Sequence, residues 1–174
     1  MKVGDYTYGQ QNIKEIFKNE FPQVSLTIGK FCSIASNISI YYGNGYHDTK
    51  NVSTYPFGYV HLNSIESQKI NNGKTNGDII IGNDVWIGDN VTIMSGCKIG
   101  DGAVLATNSH IVSDVPPYSI FGGNPSKLIK YRFDSEDIEN LLKISWWNWD
   151  ISRIKENIHL LNGNNIKEFI KINL

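Results

Sequence analysis

His47 is the side chain in this sequence best suited to moving a proton near neutral pH. It stands in the least regular stretch of the chain, GNGYHDTKNVSTYPFGY at residues 43–59. An unperturbed imidazole titrates near 6.5, so it can take the proton of a hydroxyl as that hydroxyl attacks. A loop histidine can equally do no more than satisfy a turn, and its neighbours alone leave both readings open. Metal chemistry is another matter. A three-histidine zinc site needs two ligands close in sequence, whereas His47, His61, His110 and His159 are never nearer than 14 residues. Cys32 and Cys97 are too few and too separated for a disulfide framework or a metal cluster. Both are expected to be reduced and buried, and no metal is expected.

The elements that must position His47 are legible as a repeat. From Ile81 the chain divides into sixes, IGNDVW IGDNVT IMSGCK IGDGAV LATNSH IVSDVP. Ile81, Ile87, Ile93, Ile99, Leu105 and Ile111 open the blocks. The second position holds Gly82, Gly88, Gly100 and Ala106, and the fifth holds Val85, Val91, Cys97, Ala103, Ser109 and Val115. An earlier run, IGKFCS IASNIS IYYGNG, repeats the pattern from Ile28. A period of six matches neither a helix nor a strand. It fits a chain coiling round a triangular prism, each side giving one inward aliphatic and one inward small residue. Glycine after the aliphatic is expected to ease the corner. The fold class is therefore mainly β, a parallel β-helix of hexapeptide repeats over residues 1–133, with an excursion loop at about 41–78 and a helical extension over 134–174.

Composition narrows the partners. With 174 residues, 19% charged and a net charge of -1, the chain offers no electrostatic reason to bind nucleic acid or an anionic membrane. No stretch reaches the roughly 20 apolar residues of a membrane span. The N-terminus lacks the apolar core of a signal peptide, and a cytoplasmic location is expected. A loop as long as 41–78 is more often functional than passive. After Ile111 the repeat dissolves, and Gly122 and Gly123 are followed by Lys127, Lys130 and Arg132, a glycine turn with nearby cations that suits phosphates. Further on, SEDIENLLKISWWNW and DISRIKENIHLLNG read as helices, with Asp134 or Ser135 as the first N-cap. Trp146, Trp147 and Trp149 read as packing residues.

H-D-T-K-N-V-S-T-Y-P-F resembles the xenobiotic acetyltransferase subfamily of the hexapeptide-repeat acyltransferases. So do LTIGKFCSIASN, GDIIIGNDVWIG, IGDGAVLATNSHIVSDVPPYSIFGGNPSKLIKYRF and WWNW, together covering nearly the full chain. The resemblance implies a left-handed coil, acetyl-CoA as co-substrate, and homotrimers with active sites between subunits. It implies that His47 is the catalytic base and that Trp86 forms the active-site wall or donates to the oxyanion. GGNPSK, with Gly122, Gly123, Asn124, Pro125 and Lys127, corresponds to the CoA-binding loop, with Lys130 and Arg132 beyond it. The pantetheine arm would run near Ala106 and Thr107. Tyr46 and Asp48 stand where relatives have Asn and a basic residue, so Tyr46, Asp48 and Tyr55 are the candidate acceptor contacts.

A thioester is already activated, so neither a metal nor an enzyme nucleophile is needed, and Cys97 occupies an inward position unsuited to an acyl-enzyme. The leading expectation is O-acetylation of a hydroxyl on a sugar or cell-surface polysaccharide precursor. Rival readings are a streptogramin or chloramphenicol O-acetyltransferase, an amino-sugar N-acetyltransferase, and a non-catalytic structural β-helix. The acceptor would be a small molecule or saccharide.

Overall fold

A computed structural model describes residues 1–45, 47–56 and 73–174. The chain winds through four coils. The first contains β1 (Lys2–Val3) and β2 (Ile13–Ile16), and the second β3 (Leu26–Ile28), β4 (Ser33–Ile34) and β5 (Ile38–Tyr41). The third contains β6 (Ile79–Ile81), β7 (Trp86–Ile87) and β8 (Thr92–Ile93), and the fourth β9 (Lys98–Ile99), β10 (Val104–Leu105) and β11 (His110–Ile111). Successive strands of one coil belong to successive faces. Face A is β1-β3-β6-β9, face B β4-β7-β10 and face C β2-β5-β8-β11, all in parallel register. A partial fifth coil runs through Val115, which bridges to Ile99, into β12 (Ser119–Gly123) on face B. There β13 (Ser126–Tyr131) folds back antiparallel on β12 as a hairpin. This is the parallel β-helix that the period of six anticipates, with the left hand that the resemblance implies.

The repeat positions explain the core. Ile81, Ile87, Ile93, Ile99, Leu105 and Ile111 are all buried, as are Val85, Val91, Cys97, Ala103, Ser109 and Val115. The corner works differently from the expectation. Positive φ falls at the fourth position, on Phe31, Asn37, Asp84, Asn90, Gly96, Gly102 and Asn108. Asparagine and glycine tolerate the left-handed region best. Glycine at the second position serves close stacking instead. A Cβ on Gly100 would come within 2.4 Å of the Pro117 nitrogen, and one on Gly82 within 2.9 Å of the Asp101 nitrogen.

Helices α1 (Ser135–Ile144), α2 (Ile151–Leu161) and α3 (Ile166–Asn173) follow the hairpin. Asp134 caps α1 through the Asp137 amide, and Asp150 caps α2 through that of Arg153, each at 2.9 Å. Trp147 is buried in a second core with Leu141, Phe169 and Ile170, and Phe31 and Tyr118 join that core to the coil.

Candidate active site

Each face carries an outward row fixed by strand register. On face C it is Lys14, Ser39, Thr92 and His110, and on face A it is Lys2, Thr27, Ile80 and Lys98. Face B differs. Its row is Tyr8, Ser33, Trp86, Val104 and Ile120, with Lys130 at the hairpin end. Trp86 is 56% exposed there and Tyr8 64%, a concentration of aromatic surface that calls for a cover. Trp86 lines a depression of about 450 Å³ with Ser33, Asp84, Val104, Ile120 and Arg132.

The excursion that carries His47 leaves the coil after β5 and returns at β6, at the corner between faces C and A. The imidazole is exposed, and its Nδ1 lies 2.8 Å from the Thr54 carbonyl oxygen. A carbonyl oxygen only accepts, so Nδ1 must carry the hydrogen. In the neutral ring Nε2 is then the basic nitrogen. Local turns hold the segment. The Asp48 carboxylate accepts from the Lys50 amide at 3.0 Å, and the Tyr55 amide donates to the Ser53 hydroxyl at 3.1 Å. Pro56 is buried and Tyr55 exposed. Tyr46, an expected acceptor contact, lies outside the described residues.

The remaining expected residues gather on face B. The Ala106 amide donates to the Phe121 carbonyl at 2.8 Å, which sets Ala106 against the hairpin. A Cβ on Gly122 would approach that of Ala106 to 3.3 Å and Ile129 Cδ1 to 2.7 Å, so the Ile129 side chain lies over this glycine. Thr107 follows, exposed. Gly123, Asn124 and Pro125 form the exposed tip of the β12–β13 hairpin, and Lys127 and Lys130 are exposed along β13.

Arg132 is engaged with the protein itself. Its Nη1 lies 3.6 Å from an Asp84 carboxylate oxygen and donates to the Gly102 carbonyl at 2.7 Å, while the guanidinium lies 5.3 Å from the Tyr118 and Phe133 ring centres. Burial pushes the Asp84 carboxyl up, an effect that Arg132 opposes. Sequence reasoning missed Thr54, Tyr8 and Asp84. A repeat block beginning at Val3, VGDYTY, was the available signal for Tyr8, because it sets Tyr8 in the same register as Trp86.

Thus His47 projects from one corner of the prism, and Trp86, Ala106, Gly122 and the hairpin lie on the face opposite. A hexapeptide description, bacterial transferase hexapeptide (six repeats), matches residues 78–113. The chain is 47% identical over 145 residues to a probable macrolide acetyltransferase of Lysinibacillus sphaericus, an overlap covering 83% of this chain and 81% of that protein. The chain belongs to the hexapeptide-repeat acetyltransferases, in the xenobiotic acetyltransferase subfamily. A chloramphenicol acetyltransferase of Morganella morganii is 46% identical over 142 residues, covering 81% of this chain and 68% of that one. Among solved structures, a hexapeptide-repeat acetyltransferase of Vibrio cholerae O1 biovar eltor, complexed with acetyl coenzyme A, superposes with a TM-score of 0.55 at 28% identity. That match covers 76% of this acetyltransferase and 60% of the Vibrio chain. This acetyltransferase is an acetyl-CoA-dependent enzyme by family. Among the described residues no cluster of three or more His, Cys, Asp or Glu could hold a metal, and no helix is long and apolar enough to cross a membrane.

Proposed function

We propose that this acetyltransferase moves the acetyl group of acetyl-CoA to an alcohol of a small antibiotic-type molecule by direct transfer, with His47 as general base. The observation that carries the reading is the Nδ1–H of His47 bonded to the Thr54 carbonyl, which leaves Nε2 free to accept. Nε2 takes the hydroxyl proton as the oxygen attacks the thioester carbonyl. The oxyanion of the tetrahedral intermediate needs a donor, a backbone N–H or the exposed Trp86 indole. Collapse breaks the C–S bond, and the imidazolium returns the proton to the departing thiolate.

The donor would lie along face B. Ala106, Thr107, Gly122 and Gly123 supply small residues along it, and Lys127 and Lys130 supply positive charge for the phosphates. Arg132 would act here by holding the hairpin to Asp84 rather than by touching phosphate. Because His47 and face B lie on opposite sides of one prism, a complete site needs two subunits, in keeping with a homotrimer. The names borne by the relatives favour an antibiotic acceptor, and the aromatic row of face B suits an apolar one. A saccharide hydroxyl, the first expectation from the sequence, becomes the competing arm of the test, with Tyr46, Asp48 and Tyr55 as its contacts.

The test is thiol release from acetyl-CoA over a panel of chloramphenicol, a macrolide, a streptogramin, free sugars, amino sugars and oligosaccharides, with His47→Ala alongside. Turnover with an antibiotic that the substitution removes is the expected result. Turnover confined to sugars would overturn the acceptor class, and full activity in His47→Ala would overturn the mechanism.

A further inference from the structure

The corner between faces A and B carries a column of residues with positive φ: Tyr6, Phe31, Asp84, Gly102 and Tyr118. The four after Tyr6 are each tied to the coil before in the same way. The Phe31 amide donates to the Asp5 carbonyl at 3.1 Å, that of Asp84 to Lys30 at 2.9 Å, and those of Gly102 and Tyr118 to Asn83 and Asp101 at 2.8 Å. At one end Tyr6 stacks on Phe31 with ring centres 4.8 Å apart, and Phe31 meets Trp146 at 4.9 Å. At the other end the Tyr118 ring covers Gly102, at 2.5 Å from where a Cβ would stand. The aromatic column is thus interrupted at Asp84 and Gly102, the second of which the Tyr118 ring overlies.

The helices roof this interruption without filling it. A cavity of about 280 Å³ remains, with Asp84, Tyr118 and Arg132 on its coil side and Trp146, Leu161 and Phe169 among its helical walls. Tyr118 is only 2% exposed, and its hydroxyl has no hydrogen-bond partner in the protein. Buried polar groups are nearly always paired. Here one lies beside a cavity together with a carboxylate and a guanidinium. None of this belongs to the His47 excursion, which leaves from the corner between faces C and A, while Asp84 and Arg132 stand between this cavity and the face B depression that they also line.

We infer that this cavity is a second binding site, one that takes a small planar ring carrying an uncharged amide-type edge. Planarity follows from the walls, since the aromatic rings of Tyr118, Phe133, Trp146 and Phe169 all line the cavity and favour a flat partner. Neutrality follows from the Asp84–Arg132 pair, which leaves no unbalanced charge for an ionic ligand to meet. The amide edge follows from the donors of Arg132 and the acceptor of Asp84 lying together, with the Tyr118 hydroxyl available to either kind of partner.

The probe is benzamide, titrated into the full chain, with benzoate and cyclohexanecarboxamide as charged and non-planar controls. The readout is the indole N–H resonance of Trp146 in a nitrogen-edited proton spectrum, assigned with Trp146→Phe. Benzamide should shift this signal saturably in the millimolar range, about tenfold more tightly than either control. Asn164→Trp, at the exposed rim, and Leu161→Trp, in the wall, should each abolish the shift while the other indole signals stay dispersed. Absence of any shift up to about 20 mM overturns the site. An undiminished shift in whichever filled variant stays folded overturns its location, and equal binding of benzoate or cyclohexanecarboxamide overturns the ligand class.

Discussion

At the scale of the residue, the account depends on one nitrogen. The Thr54 carbonyl holds the hydrogen on Nδ1 of His47 and so directs the Nε2 lone pair outward. His47→Ala should lower the rate of acetyl transfer by about 10²–10⁴-fold, the usual contribution of general-base help. The thermal midpoint should hardly move, because the ring is exposed. Steady-state thiol release beside a melting curve checks both halves, and a variant that lost stability along with activity would point to a structural histidine. The histidine was legible because its type and the S-T-Y-P-F that follows form a motif. Its tautomer was not, since any residue in place of Thr54 would offer the same carbonyl. Arg132 illustrates the same limit. As a letter it is one more cation near a glycine turn, and only the fold brings Asp84 and the Gly102 carbonyl to it.

The elements follow from the repeat, and here the sequence was more readable. Every first and fifth position from Ile81 to Val115 is buried. The fourth position carried a signal that went unread: Asn37, Asp84, Asn90, Gly96, Gly102 and Asn108 are all of the types that best tolerate positive φ, and Phe31 is the exception. Asn90 has φ of 56° and donates to the Asn108 side chain at 2.7 Å. Asn90→Val should therefore destabilise by about 1–2 kcal/mol, the cost of a left-handed conformation for an ordinary L-residue, whereas Asn90→Gly should fall well short of that. Chemical denaturation of the two variants in parallel would separate the backbone cost from loss of the asparagine pair.

The cap of α1 makes a prediction about acid. The Asp137 amide, and after it Lys167, holds the Asp134 carboxyl below its ordinary range. Folding therefore favours the ionised form. The stability from this group is complete above the unfolded value near 4 and is lost as pH falls through the lower folded value. Asp134→Asn should flatten the fall of the melting temperature below about pH 4. A steeper fall in the variant would contradict the assignment. Helix α3 falls within the expected helical extension but was not read as an element of its own, because its eight residues, Ile166–Asn173, are too few for a periodic signal to stand out.

For the whole molecule, the controlling fact is the separation of the two halves of the site. His47 leaves from the corner between faces C and A, and Trp86, Ala106 and the Gly122 hairpin lie on face B. A triangular coil does not bring one onto the other, so on the proposed reading each site is completed by a neighbouring subunit. The period of six announced the prism, but the assignment of faces required the strand register. The decisive measurement mixes two variants, His47→Ala and Trp86→Ala, each first established as inactive alone, by co-unfolding and refolding them in equal amounts. Random assembly leaves about a quarter of shared sites with both residues intact, so about a quarter of the wild-type rate of thiol release should return. A mixture as inactive as its components would mean that each site draws His47 and Trp86 from the same chain, and would contradict the account.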